Sequence, residues 1–285
     1  MSDDAFVSHR GLLFTVAYEM LGSAADAEDV VQESWLRWVN VDQSEVRHPR
    51  AYLVRMVTRQ ALNRLRTVSR QRENYVGEWL PEPLLTRPDV EAELAVNVSI
   101  AMLTVLETLG PSERAVFVLH EVFETPYDEI AEVVGKSPAA VRQIAHRARE
   151  HVAKRRPRMQ VDRAQQEATL EEFLAALTSG DVRRLMDVLA PDVVLIADGG
   201  GMVPAARKPM CGVEIVASFL SRVAVLSDLR VSKVWINALP GARFEVGGDV
   251  TAVSLVIDGD RITRVYAIRN PHKLARLNVE AELRR

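Results

Sequence analysis

The stretch "YDEIAEVVGKSPAAVRQIAHRAREHV", residues 127–152, decides how the first half of this chain folds. Tyr127, Ile130, Ala131 and Val134 recur at helical spacing and form one apolar face. Gly135-Lys136-Ser137 then interrupts the helix, with Ser137 placed as an N-cap and Pro138 at the first helical position. Val141, Ile144, Ala145, Ala148 and Val152 give a second helix its inner face. Two amphipathic helices joined by a three-residue turn predict a helix-turn-helix. The outer face of the second helix carries Arg142, Gln143, His146, Arg147 and Arg149. Arg and Gln can read base edges bidentately, and the remaining cations can hold phosphates.

Outward from this motif, two further segments read as helices. From 26 to 38, Ala27, Val30, Val31, Trp35 and Trp38 form an apolar stripe behind Ser23 as N-cap, with Asp26, Glu28 and Asp29 at the positive helix start. Gln32 and Glu33 lie on the same helix. All charges between 11 and 36 are acidic, Glu19 included, so this surface predicts a protein partner or solvent rather than DNA. The helix expected over 49–70 is the opposite. Arg47, Arg50, Arg55, Arg59, Arg64, Arg66, Arg70 and Arg72 follow one another with no acid between them, interleaved with Tyr52, Met56 and Asn63. Beside a helix-turn-helix, that run predicts a second nucleic-acid surface. The net charge of -3 excludes only a uniformly basic coat.

Residues 75–90 break the helical pattern with Gly77, Pro81, Pro83 and Pro88, and read as a linker. Free linkers are polar, whereas this one holds Trp79, Leu80, Leu84 and Leu85, which predicts that it docks on something. After a basic stretch, "AKRRPRM", the texture changes from about 162. Two helices, the strand "VVLIAD", a helix over "VEIVASFLSRVAVL" and strands joined by Gly247-Gly248 and Asp258-Gly259 predict a compact α+β domain ending in an antiparallel meander. The strand "VVLIAD" runs into Asp198, Gly199, Gly200 and Gly201. That loop matches neither a Walker loop nor a dinucleotide fingerprint. Asp198 is the best candidate for a general base, ahead of Asp192, Asp258 and His272, yet no partner group is evident. The expectation is therefore a non-enzyme with no cofactor and no metal. Its single cysteine, Cys211, rules out an internal disulfide. No apolar run nears the roughly 20 residues that span a bilayer, and no signal peptide is evident, so an intracellular, cytoplasmic chain is expected.

Together the motifs resemble a known family. "AYEMLGSAADAEDVVQESWLRW" resembles the second region of extracytoplasmic-function sigma factors, "HPRAYLVRMVTRQALNRLRTVSRQR" the adjoining promoter-melting part, and "LGPSERAVFVLHEVFETPYDEIAEVVGKSPAAVRQIAHRAREHV" their fourth region. The resemblance covers roughly residues 5 to 155. It implies that Asp26, Glu28, Asp29, Gln32 and Glu33 meet core RNA polymerase. It also places Arg55, Arg59, Asn63, Arg64 and Arg66 on the downstream promoter element, and the helix-turn-helix cations on the upstream one. Arg59 and Asn63 stand where the family usually carries Asn and then Asp, so the region's role carries over more firmly than its individual contacts.

The last part resembles a SnoaL-like domain of the cone-shaped NTF2-like fold. "WLPEP" (79–83), "DGGG" (198–201) and "NPHKL" (270–274) are similar to motifs of the subgroup in which such a domain acts in cis. Trp79, Leu80, Pro81, Asp198 to Gly201, Asn270, Pro271, Lys273 and Leu274 are the implied regulatory contacts. His272 departs from the subgroup's usual acid. The expected organisation is two all-α sigma domains followed by an α+β cone: 1–74 (region 2), 75–90 (linker), 91–157 (region 4) and 162–285 (SnoaL-like). The expected partners are core polymerase and promoter DNA for a chain monomeric when free, with a small-molecule ligand of the cone left open. The alternatives are a SnoaL-type isomerase, cyclase or hydrolase, or a ligand sensor, tethered to a DNA-binding module, or a plain helix-turn-helix regulator.

Overall fold

A computed structural model of the chain describes residues 3–72, 74–156, 158, 162–224 and 228–285. Its helices are α1 (Asp3–Leu21), α2 (Ala24–Trp38), α3 (Pro49–Arg72), α4 (Ala92–Val98), α5 (Ile100–Leu106), α6 (Pro111–Phe117), α7 (Tyr127–Val134), α8 (Pro138–Arg155), α9 (Arg163–Ser179), α10 (Val182–Val188), α11 (Val213–Ala224) and α12 (Pro271–Leu274). The strands are β1 (Leu189–Asp198), β2 (Met210–Cys211), β3 (Arg230–Ile236), β4 (Leu239–Val246), β5 (Asp249–Asp258) and β6 (Arg261–Ile268). They group into two units. The helical unit holds 1–74, 103–156 and 282–285; the sheet unit holds 75–102 and 157–281. The stretch expected as a linker is thus grouped with the sheet, as are α4 and the start of α5.

In the helical unit, the Ser23 hydroxyl accepts from the Asp26 amide at 3.2 Å and starts α2, whose Ala27, Val30, Val31 and Trp38 are buried. On α3, Leu53, Val57, Leu62 and Leu65 face the same core. The helix-turn-helix follows the sequence reading. Gly135 takes a left-handed φ of 69°, and Ser137 caps α8 by accepting from the Ala140 amide at 3.3 Å. Val141, Ile144, Ala145, Ala148 and Val152 are buried.

A charged cluster that periodicity cannot reveal lies inside this unit. Glu107 pairs with both Arg72 and Arg114. Arg72 also donates to the Leu21 carbonyl at 2.6 Å, and Arg114 to the Glu19 carbonyl at 3.0 Å. Glu19, expected on an acidic surface, is instead fully buried on α1. Burial pushes its carboxyl up to about 8, against the pull of Arg285 and Arg114. The acidic character of 11–36 therefore belongs to α2 alone.

The sheet unit is a six-stranded sheet in the order β2-β1-β6-β5-β4-β3. Strands β3 to β6 form the expected antiparallel meander. β1, however, runs parallel to β6, because the intervening helix and strands return the chain in the same direction. Two turns are the predicted glycine hairpins. The third, Asn237-Ala238, takes left-handed φ values of 52° and 63° without a glycine. Phe173, Leu177, Val216, Leu220, Leu195, Phe244, Val253 and Val265 make the core between the sheet and helices α9–α11. Leu80, Ile100, Ala101, Ile236, Val256, Tyr266, Ile268 and Leu277 make a second core on the opposite face. Because side chains alternate along a strand, Leu195 and Ala197 of β1 and Val265 of β6 belong to the first core, and Ile196 of β1 with Tyr266 and Ile268 of β6 to the second.

Candidate functional sites

At the carboxyl end of β1 this alternation turns Ala197 toward the helices and Asp198 toward the opposite face. Asp198 is fully buried, and its carboxylate accepts four hydrogen bonds. Oδ1 takes the Tyr75 hydroxyl at 2.6 Å and the Gly200 amide at 3.0 Å. Oδ2 takes the Leu80 amide at 2.9 Å and the Lys273 ammonium at 2.6 Å. Lys273, itself buried, also donates to the Leu80 carbonyl at 2.5 Å and lies 4.0 Å from the centre of the Trp79 ring. Its desolvation is thus offset by a carboxylate, a carbonyl and a π face.

Around this pair the three short motifs meet. Asn270 caps α12, its Oδ1 accepting from the His272 amide at 3.0 Å, while its amide donates to the Tyr75 hydroxyl at 2.7 Å. Burial and the bond to Asp198 raise the Tyr75 pKa, so the phenol remains a neutral donor. Gly200 and Gly201 have φ of 60° and 72°, and a Cβ on Gly200 would collide with the Asn270 amide and stand 3.0 Å from the Tyr75 hydroxyl. These glycines are needed both for the turn and for the close approach of Tyr75-Val76. Of the predicted contacts, Leu80 and Pro81 are buried and Trp79 is half-buried, whereas Pro271 and His272 are exposed. His272 meets this site only through its backbone.

A second set of contacts holds the same segment at the other edge of the sheet. Asn237, fully buried in its turn, accepts from the Leu84 amide at 2.9 Å and donates to the Val98 carbonyl at 2.7 Å. Thr86 donates its amide to the Trp235 carbonyl at 3.0 Å and accepts from the Ala238 amide at 2.8 Å. Leu85 bridges Ile236 on one side and Glu280 on the other. Sequence reading missed both Tyr75 and Asn237. A polar residue at the turn of an apolar hairpin was the available signal for Asn237; nothing local marks Tyr75.

The candidate general base is therefore engaged by four donors. Asp198 is saturated with donors on the face away from the helices, Asp192 and His272 are exposed, and Asp258 ends β5. Among the described residues no cluster of His, Cys, Asp or Glu could hold a metal ion.

In the helical unit, all five helix-turn-helix candidates are exposed on α8. Arg149 is tied to Glu121 at 2.7 Å, and His146 lies 3.6 Å from Glu150. Of the α3 candidates, Arg55 pairs with Glu129 of α7 at 3.3 Å, and Arg59 donates to the Glu132 carbonyl at 3.2 Å. Arg64 pairs with Asp26 at 2.5 Å and Asp29 at 3.5 Å, while Asn63 and Arg66 are exposed. Glu28 pairs with Arg10 at 2.6 Å. Gln32, Glu33 and Leu36 remain as the exposed outer face of α2.

Comparison with known proteins gives this arrangement its family. Residues 5–71 match Sigma-70 region 2 and residues 99–152 match Sigma-70 region 4. The chain is 40% identical over 227 residues to the ECF RNA polymerase sigma factor SigJ of Mycobacterium tuberculosis, covering 77% of this chain and 72% of that one. It is 30% identical to the probable ECF RNA polymerase sigma factor SigI of the same species, over 97% of this chain and 96% of that one. The crystal structure of M. tuberculosis SigJ superposes with a TM-score of 0.76 at 31% identity, over 94% of this chain and 96% of that chain, α+β part included. No helix among the described residues is long and apolar enough to cross a membrane. With regions 2 and 4 in order and relatives matched beyond them into the sheet unit, the chain belongs to the extracytoplasmic-function RNA polymerase sigma factors.

Proposed function

We propose that the sheet unit regulates this sigma factor in cis by holding the segment that joins region 2 to region 4. The observation that supports this most is the Asp198 carboxylate, which gathers donors from the linker (Tyr75, Leu80), the glycine loop (Gly200) and α12 (Lys273). Residues 72–98 lie between the two family matches, and the contacts at Leu80, Leu84, Thr86 and Val98 fix that segment to the sheet. Released, residues 75–90 could extend to ~55 Å. The clamp thus governs how far apart the two promoter-binding regions can move.

In this reading, Arg142, Gln143, His146, Arg147 and Arg149 contact the upstream element, and Arg55, Arg59, Asn63, Arg64 and Arg66 the downstream one. Asp26, Glu28, Asp29, Gln32 and Glu33 face core polymerase. The chain is a monomer when free and acts in the compartment of the polymerase. Arg55 and Arg59 must give up their contacts with α7 before they reach DNA, so the helical unit has its own opening step.

In vitro transcription with purified core polymerase tests the proposal. Asp198→Ala should change promoter output without weakening core binding; unchanged output at wild-type core affinity would overturn cis control through the clamp. Arg142→Ala with Arg147→Ala should abolish initiation and leave core binding intact, whereas equal loss of both would mean misfolding rather than recognition.

A further inference from the structure

The face of the sheet opposite the clamp encloses a cavity of about 540 Å³ that the sigma function does not use. Phe173, Phe219, Phe244, Val253, Val265 and Met210 line it. Its charged members are Arg269 and Asp249, whose side chains are 3.7 Å apart at the rim. Asp249 is largely exposed, so this pair holds little and can part at small cost. Arg269 and Asp249 also border a neighbouring polar cleft containing Arg243, whose buried Nε has no hydrogen-bond partner.

We infer that this cavity binds a lipophilic organic anion: an apolar, ring-containing body among the phenylalanines, with a carboxylate or sulfonate on Arg269. The apolar lining supplies the affinity for the body, and the planar guanidinium suits a two-oxygen acid head. Asp249 opposes the charge, but from a position where it can turn into solvent.

The same residues connect the cavity to the clamp. Ala197 and Arg269 face the cavity, while Asp198 and Asn270, next to them in the chain, face the linker. The Arg269 and Asn270 amides both donate to the Asp198 carbonyl, at 2.7 and 3.0 Å. The Arg269 side chain donates to the Pro204 carbonyl at 2.5 Å and so holds the loop that carries Gly200 and Gly201. An acid head that takes over Arg269 withdraws that support and loosens the clamp. This second step rests on the cis-regulatory reading above; the binding step does not.

The probe is anilinonaphthalene sulfonate, compared with the uncharged N-phenylnaphthylamine, on the full chain. One saturable site is expected, with the sulfonate preferred. Ala267→Phe and, separately, Ala206→Leu, each narrowing the cavity from a different wall, should weaken both probes about tenfold or more. Arg269→Gln should weaken the sulfonate by a similar factor and leave the uncharged probe unchanged. Binding that survives both cavity variants with their melting temperatures intact would place the probe elsewhere and overturn the site. Equal affinity of the two probes for the wild-type chain would overturn the anion class. Exchange of the Leu80 amide should quicken when the sulfonate is bound; unchanged exchange at saturation would overturn the coupling. Asp198→Ala transcription without any probe judges the regulatory reading separately.

Discussion

Replacing Lys273 by Met tests the clamp at its most desolvated point. The ammonium lies 2.6 Å from Asp198 Oδ2, with side chains 8% and 0% exposed, so water can screen the pair very little. Removing one partner of a buried pair costs about 3–5 kcal/mol, because the other charge stays uncompensated. Here Asp198 keeps three donors, from Tyr75, Gly200 and Leu80, which favours the lower end. Against that, the ammonium also loses the Leu80 carbonyl and the Trp79 ring, the latter worth about 1–2 kcal/mol when desolvated. The net expectation is ~3 kcal/mol, or about 150-fold in an opening equilibrium. Native-state hydrogen exchange reads it directly, because the Leu80 amide is protected by Asp198 itself. Leu80 exchange should rise by about that factor, while the amide of Leu255 in the central strand β5 moves far less. Asp198→Asn with Lys273→Met should recover part of the loss, with a coupling of about 2 kcal/mol. A rise of less than ~5-fold at Leu80, in a variant whose Leu255 protection is intact, would refute the claim that this ion pair holds the linker.

Other expectations follow from the same geometry. Gly200→Ala meets both a left-handed φ and the Asn270 amide, and should lower unfolding free energy by about 2 kcal/mol or more in denaturant titrations. Asn237→Leu leaves the Leu84 amide and the Val98 carbonyl buried and unpaired, at a cost of about 2–4 kcal/mol measured the same way. Glu19 is an acid whose folded pKa of about 8 lies above its ordinary 4.5, so its protonated form favours folding. That contribution is complete below pH 4.5 and is lost as pH rises through 8. Glu19→Gln should therefore flatten the fall in stability between those limits, read from denaturant midpoints across the range. Truncation after about residue 160 should impair transcription and truncation after Arg269 should raise it; identical effects would refute a clamp distinct from the rest of the sheet unit.

Much of the molecule was legible in one dimension. The helix-turn-helix was readable because its signals are local: a cap, a proline, a left-handed glycine and two apolar faces at a period of 3.6. The linker's excess of Trp and Leu showed that it would be covered, and adjacent glycines showed that a backbone would come close. The hairpins at Gly247-Gly248 and Asp258-Gly259 were readable for the same reason, but the one at Asn237-Ala238 carries no glycine and was missed.

What covers what was decided only in three dimensions. Asp198 looked like a base waiting for a partner because Lys273, Tyr75 and the Leu80 amide are remote from it in sequence. Only the parallel pairing of β1 with β6 brings α12 beside the glycine loop. Glu19 looked like surface charge because charge pattern says nothing about depth, and α1 buries it against Arg114. Likewise, nothing in the local pattern shows that Arg55 and Arg59 also meet α7, at Glu129 and at the Glu132 carbonyl. Local periodicity determined the elements of this protein, since each is a matter of side chains a few residues apart. Which buried charge meets which depends on strand order and helix packing, and those are settled by the core as a whole.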